Sequence, residues 1–226
     1  MLEHTFEGGF SDRLVGNRLV PPEDYFSDRG MQENASGFAR AASQAKALKK
    51  AGARLGRVLD YGSGPGYFLK VAAPETAFAI EPDPDSAKYL DYLGATRLDE
   101  DALDEMQFDA IVASHVIEHF TETDVVRRVG RMVAALAPDG RLLIEVPQGG
   151  HSRLHLTARD DPHTLFFTAA GLRALVERAG GQVVACFVRS KATHQVREDA
   201  IYRPDPNDSF ASTLGGGLTV IARPSA

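Results

Sequence analysis

The architecture of this chain is set by the stretch VLDYGSGPGYFL, residues 58–69. It contains, in order, an apolar strand with the acid Asp60, three alternating glycines (Gly62, Gly64 and Gly66) and a helical run. Glycine is needed where a backbone turns sharply and lets a ligand approach its amides, and the following helix offers unpaired N–H groups at its start. The stretch therefore predicts a ligand site, although strand-to-helix turns also use glycine for shape alone.

Strands and helices alternate along the chain around this stretch. Short runs rich in apolar and β-branched residues are RVLDYG, AFAIEP, FDAIVAS and RLLIEVP, and helical stretches such as SAKYLDYLG and DVVRRVGRMVAALAPDG separate them. This alternation predicts a parallel sheet covered on both faces. Two later strand candidates, QVVACFVRSK and GGLTVIAR, lack a convincing helix between them and suit an antiparallel pair. We expect an α/β, Rossmann-like doubly wound, mostly parallel sheet of about seven strands with an antiparallel C-terminal pair.

Helical and irregular segments surround these strands. SGFARAASQAKALKKAG is an alanine-rich helix candidate that stops at Gly52, and TAAGLRALVERAGG is an amphipathic one that stops at Gly180 and Gly181. The first thirty-odd residues are polar and glycine-containing and include VPPEDYF, so we expect a lead-in without a regular helix. The irregular segments 148–165 and 191–215 have a length that is usually functional or mobile in compact domains.

Composition limits the classes of partner. A formal net charge of -6 over 226 residues provides no basic field to collect phosphates, which argues against a nucleic-acid duplex or an anionic membrane. Cys186 is the only cysteine, which excludes an internal disulfide and a cysteine-rich zinc site. The start MLEHTFEGGF lacks the features of a signal peptide, and no apolar run reaches membrane-spanning length. We expect one cytoplasmic domain over residues 1–226.

Five motifs follow one another in a fixed order between about residues 55 and 180. They are VLDYGSGPG, AIEPD, FDAIVASHVIEHF, LAPDGRLLIEVP and HTLFFTAAGLRALVERAG. The glycine spacing is G-x-G-x-G rather than the G-x-G-x-x-G of dinucleotide folds, and Glu81 ends the next strand. Together these motifs resemble the class I S-adenosylmethionine-dependent methyltransferases. The chain is most similar to the branch of ubiquinone-type O-methyltransferases and small-molecule and sugar methyltransferases.

The resemblance implies S-adenosylmethionine as the cofactor and assigns some of its contacts. The three glycines would pass beside the methionine part, with Asp60 anchoring the loop and holding the amino group. Glu81 would accept both ribose hydroxyls. On this basis the single methyltransferase domain comprises a lead-in and helix (1–52), a cofactor-binding half (53–147) and an acceptor-side part (148–226).

Two further cofactor contacts follow from the same resemblance. Ser114 and His115 lie where the fourth strand ends, and their backbone would line the methionine end of the site. In the family, an acidic or polar residue after the third strand meets the adenine amine. RLDEDALDEM offers Asp99, Glu100 and Asp101 for this contact. We select Asp99.

The motif HVIEH, residues 115–119, has a competing interpretation. It matches H-x-x-E-H, the metal-binding spacing of a class of zinc peptidases. Here it directly follows a parallel strand, at the sheet edge where ligands bind. An E-H pair commonly follows this strand in the methyltransferases that the chain resembles, so we favour that family over a peptidase.

A metal remains an alternative for the same motif. Some ubiquinone-type relatives carry a carboxylate where His115 stands and hold a divalent metal there. In this chain His115, Glu118 and His119 form an i, i+3, i+4 set on an expected helix, which either ligates one metal or packs and contacts the cofactor without one. We favour the interpretation without a metal.

Histidines and basic residues concentrate in the second half of the chain. The resulting imidazole-rich cover suits a polar, anionic acceptor, although charged loops are often simply solvated. The histidines after the fourth strand are His115, His119, His151, His155, His163 and His194, and the basic residues among them are Arg153, Arg159, Arg189, Lys191, Arg197 and Arg203.

Methyl transfer from a sulfonium is an in-line displacement that needs positioning and removal of a proton from the acceptor. His119, and His163 in DPHTLFF, are the candidates for the catalytic base. We expect an enzyme that methylates a small polar acceptor, foremost on oxygen, without nucleic-acid or membrane partners; a homodimer is compatible. The alternatives are a protein or sugar N- or C-methyltransferase and a non-catalytic cofactor-binding partner subunit.

Overall fold

A seven-stranded mixed sheet forms the centre of the structure. The computed structural model describes residues 2–3, 12–14, 35–147, 164–189 and 217–225. In chain order, the strands are β1 (Leu2–Glu3), β2 (Asp12–Leu14), β3 (Arg57–Tyr61), β4 (Thr76–Ile80), β5 (Thr96–Arg97), β6 (Phe108–Ser114), β7 (Leu136–Pro147), β8 (Leu165–Phe166), β9 (Gly181–Arg189) and β10 (Gly217–Pro224). The α-helices are α1 (Ala35–Lys50), α2 (Tyr67–Ala72), α3 (Ala87–Tyr92), α4 (Glu122–Ala134) and α5 (Ala169–Arg178). Short 3-10 turns cover Pro84–Ser86, Glu100–Asp104 and Ile117–His119.

The strand order in the large sheet is β5-β4-β3-β6-β7-β10-β9. Strands β5, β4, β3, β6 and β7 run parallel to one another, whereas β10 runs antiparallel to both β7 and β9. This arrangement confirms the predicted Rossmann-like sheet and its antiparallel C-terminal end. The chain order reverses between β3 and β6, so the carboxyl ends of these two strands, at Tyr61 and Ser114, border the crevice in which such folds bind ligands.

Both faces of the sheet are covered, which explains why β3 is buried along four of its five residues. One apolar cluster joins the sheet to α4 and α5, and a second joins its other face to α1, α2 and α3. In α4, Val125, Val129 and Met132 recur at helical spacing and are fully buried. Burying each such side chain contributes about 1.5 to 3 kcal/mol.

A small antiparallel sheet of order β1-β2-β8 lies outside the large one. Leu2 pairs with Leu14, and Asp12 pairs with Phe166. The lead-in therefore contains short strands that the sequence analysis did not predict. Strand β8, which pairs with β2, stands far away in the sequence, so the local pattern carries no signal for this pairing.

The predicted helices are present. Helix α1 is followed by Gly52 and α5 by Gly180, and both glycines adopt positive φ. Segment 191–215 and most of 148–165 lie outside the described residues. Among the helices that are described, none has the length and apolarity to cross a membrane.

Candidate active site

The glycine loop (residues 62–66) connects β3 to α2. Gly62, Gly64 and Gly66 have φ values of +71°, +51° and +82°, a region that L side chains disfavour. A Cβ at Gly62 would overlap the Val116 side chain, and one at Gly66 would stand 2.6 Å from Leu93 Cδ1. The loop is thus closely packed, with its backbone amides at the carboxyl edge of the sheet.

Glu81 follows β4 and is bound to the glycine loop. Its Oε2 accepts a hydrogen bond from the Gly64 N–H at 2.6 Å, and its Oε1 accepts one from the Asp83 N–H at 2.9 Å. Burial raises the pKa of Glu81, and these two donors partly offset the rise. The structure therefore brings together the glycines and the acid that the sequence singled out separately.

A cavity opens beside the glycine loop. It contains five predicted site residues, namely Asp60, Gly62, Gly64, Ser114 and His115. Helix α1, to which sequence reasoning gave no role, forms the opposite wall. Its contribution consists of Gly37, Arg40, Ala41 and Gln44, and Ser63, Pro65, Tyr67 and Phe68 complete the lining.

Asp60 is almost completely buried, with 3% of its surface exposed. Burial, followed by the nearby charge of Glu81, raises its pKa to about 8, and Arg40 acts in the opposite direction. The side chain therefore retains its proton near neutral pH. A cationic group entering the cavity would favour the ionised carboxylate.

Buried polar residues from α1 and β7 support the end of β6. Gln44 Nε2 donates to Ser114 Oγ at 2.8 Å and to Glu145 Oε2 at 3.0 Å. Thr219 Oγ1 donates to the same Glu145 oxygen at 3.3 Å. Sequence reasoning missed Gln44 and Glu145. Glu145 did have a visible signal, because it is an acid inside the apolar run RLLIEVP and a charged side chain is seldom buried without a partner.

The HVIEH turn (residues 115–119) is not the expected helix. His115 has a φ of +59°, and only Ile117–His119 form a 3-10 turn before α4 begins. Thr164 fixes this geometry, since its N–H donates to Glu118 O at 2.8 Å and its hydroxyl lies 2.6 Å from Phe120 O. The left-handed residue interrupts helical continuity, so the i, i+3, i+4 argument about a shared helical face was wrong.

The His115 imidazole nevertheless lies beside Glu118. Its Nδ1 is 3.3 Å from Glu118 Oε1, and its Nε2 is 3.7 Å from Glu145 Oε1. Within the described part of the chain, no group of three or more His, Cys, Asp or Glu residues has an arrangement suited to a metal ion.

The other predicted residues differ in where they lie. His119 is partly buried in the turn and does not line the cavity. Asp99 is exposed and also lies away from the lining. His163 and most of the histidine-rich cover are outside the described residues, as is the Arg189 side chain.

The acid after Asp99 has a definite structural partner. Glu100 accepts a hydrogen bond from the Tyr61 hydroxyl at 2.8 Å and pairs with Arg128 at 2.7 Å. Burial, followed by the hydrogen bond to Glu100, raises the pKa of Tyr61 to about 12. This cluster connects the end of β3 to the segment after β5.

Solved structures with the same fold include three methyltransferases. The 1,6-didemethyltoxoflavin-N1-methyltransferase of Burkholderia thailandensis is 17% identical, with 96% of this chain and 95% of that one covered and a TM-score of 0.63. A possible histamine N-methyltransferase of Thermotoga maritima is 16% identical, with coverage of 89% and 96% and a TM-score of 0.64. Mitomycin 7-O-methyltransferase is 20% identical, with a TM-score of 0.58; the match covers 83% of this chain but only 54% of that longer protein.

No curated protein matches the chain. The profile of a family described as a methyltransferase domain matches residues 31–185, which is more than half of the sequence. The matched range begins just before α1 and includes the glycine loop, Glu81 and the HVIEH turn. The chain therefore belongs to the methyltransferase-domain family and is a class I enzyme whose cofactor is S-adenosylmethionine.

Proposed function

We propose that this enzyme transfers the methyl group of S-adenosylmethionine to an oxygen atom of a small polar acceptor. The observation that carries the proposal is the continuity of the cavity, which extends from Asp60 and the glycine loop to Ser114 and His115. Cofactor and acceptor can thus meet at the end of β6. The small molecules named for the toxoflavin and mitomycin methyltransferases support an acceptor of this size.

The residues present fit the cofactor. The glycine loop and the buried Asp60 carboxyl both border the cavity, and we assign the loop backbone to the methionine part and Asp60 to the amino group. Glu81, held at the loop by Gly64, is assigned to the ribose hydroxyls. The backbone of Ser114 and His115 would border the methionine end, and Asp99 remains our proposed adenine contact.

When bound, S-adenosylmethionine supplies an electrophilic methyl group on a positively charged sulfur. The protein must then align the acceptor in line with that methyl group and exclude competing water. A base is also required where the acceptor carries a proton. The sequence-based candidates for it, His119 and His163, remain predictions.

A turnover screen tests this function. Purified enzyme and S-adenosylmethionine are incubated with phenolic, sugar and amine panels, and S-adenosylhomocysteine formation is measured together with product mass and methyl position. We expect a product with one added methyl group on oxygen. Amines are included because two of the similar structures are named as N-methyltransferases. A chain that binds the cofactor but forms no product with any panel would instead support a non-catalytic subunit.

A further inference from the structure

His115 lies where the cavity meets the end of β6. Its left-handed backbone, with a φ of +59°, is a conformation that histidine adopts only at some cost. The His115 N–H donates to Glu145 O at 2.8 Å, which fixes the residue to β7. Its side chain is 31% exposed and borders the cavity together with Asp60 and Ser114. The backbone thus places an imidazole beside the cofactor site.

Two buried carboxylates flank this imidazole. Glu118 Oε1 lies 3.3 Å from Nδ1 and Glu145 Oε1 lies 3.7 Å from Nε2, and each glutamate side chain is only 1% exposed. Thr164 fixes the turn that carries Glu118. Gln44 holds the second oxygen of Glu145 at 3.0 Å. The ring is therefore positioned between carboxylates anchored by separate parts of the fold.

The two ring nitrogens of His115 have different neighbours and therefore different protonation roles. The shorter distance to Glu118 favours the tautomer with its proton on Nδ1, which leaves the lone pair on Nε2. A positive ring formed by protonation at Nε2 would lie between the two buried glutamate side chains, and either of them stabilises it when ionised. Asp60, Arg40 and Tyr67 are the other ionisable residues in the described cavity wall.

We propose that Nε2 of His115 is the base that accepts the acceptor's proton, with Glu118 and Glu145 as positioning residues. The inference rests on the proposed transfer to an O–H acceptor. The acceptor oxygen forms a bond to the methyl carbon, the carbon–sulfur bond breaks with its electron pair moving to sulfur, and the O–H proton moves to Nε2. The positive charge of the sulfonium thereby passes to the imidazole ring.

Nitrogen-15 NMR of the full chain with S-adenosylhomocysteine bound tests the ring assignment, with His115→Gln identifying the signals. We expect the Nδ1–H tautomer in the neutral ring and weaker tautomer bias in Glu118→Gln. Glu145→Gln should move the ring's titration midpoint to lower pH, because the imidazolium loses a counter-charge. Glu122→Gln removes another buried carboxylate and should change neither result. An Nε2–H tautomer in the unmodified protein would overturn the proposal.

Acceptors of different acidity provide a kinetic test. Phenol and 4-nitrophenol are compared at a pH where only 4-nitrophenol is ionised, because an ionised acceptor needs no base. His115→Gln should lower kcat with phenol by about a hundredfold or more, and should lower kcat with 4-nitrophenol far less. Equal losses with both acceptors would overturn the role of His115. Absence of methyl transfer by the unmodified enzyme across all panels of the turnover screen would contradict the proposed function instead.

Discussion

The glycine loop and the HVIEH turn lie side by side at the carboxyl edge of the sheet, but they are held in different ways. In the glycine loop, positive φ values at successive glycines define the path of the backbone. In the HVIEH turn, residues that are distant in sequence fix the path: Thr164 holds Glu118 O, and the Glu145 backbone holds the His115 N–H. One turn is encoded locally, whereas the other depends on tertiary contacts.

This difference determines how substitutions should act. Changes in the glycine loop introduce steric and backbone strain at the site of the substitution. Changes around the HVIEH turn act through buried hydrogen bonds, whose loss leaves another polar group without its partner. An effect of the first kind depends on the backbone and packing at the substituted residue. An effect of the second kind also depends on a second residue, which loses its hydrogen-bond partner.

Gly62→Ala should produce the largest effect on stability. The substitution combines an unfavourable positive φ with overlap between the new Cβ and Val116, so we expect a loss of about 3 kcal/mol in the free energy of unfolding. Urea denaturation measures it. Gly94→Ala is the matched control, because Gly94 also has a positive φ, +67°, but has open space around its Cβ position. It should cost only about 1 kcal/mol. Equal losses would show that contact with the HVIEH turn is unimportant.

Glu81→Ala should weaken S-adenosylmethionine binding by about 1 to 3 kcal/mol, the scale of hydrogen bonds to a charged group. The same substitution removes the carboxylate that accepts the Gly64 N–H. Calorimetric titration with the cofactor measures the affinity. Glu75→Ala, at an exposed acid before β4, is the control and should bind normally. Unchanged affinity in Glu81→Ala would remove Glu81 from the proposed cofactor site.

The same distinction between local and distant contacts explains which site residues could be identified from the sequence and which were missed. Asp60, the glycines and Glu81 were identified because their strand, turn and helix signals are contiguous or follow directly along the chain. Gln44 was missed because its partners Ser114 and Glu145 are 70 and 101 positions away. The HVIEH turn was mistaken for a helix because its spacing is helical while His115 is left-handed.

Gln44→Met tests the contribution of those distant contacts. Methionine retains the length and helix propensity of glutamine but removes its hydrogen bonds to Ser114 and Glu145. We expect a loss of about 1.5 kcal/mol in the free energy of unfolding, measured by urea denaturation. Gln182→Met removes an exposed hydrogen bond with Arg223 and should change stability by no more than about 0.5 kcal/mol. Similar values for the two variants would contradict a structural role for the buried network.

We also predict that both stability and cofactor affinity depend on the protonation of Asp60. Its pKa rises from 3.8 to about 8 in the folded chain. Between these values the folded protein keeps a proton that the unfolded chain loses, so stability of the cofactor-free protein should fall as pH rises through this window. Above about pH 8 this contribution should level off.

Cofactor binding should shift Asp60 from its protonated form to the ionised carboxylate. If the positively charged amino group lies beside Asp60 as we propose, it favours the carboxylate, and binding at pH 7 should release just under one proton from this residue. The affinity should consequently increase by up to tenfold per pH unit below about pH 8. Calorimetry in buffers of different ionisation enthalpy measures the release, and Asp60→Asn supplies the background from other groups. Equal proton release by the variant and the unmodified protein would place the amino group away from Asp60, leaving the glycine loop to bind the methionine part through its backbone alone.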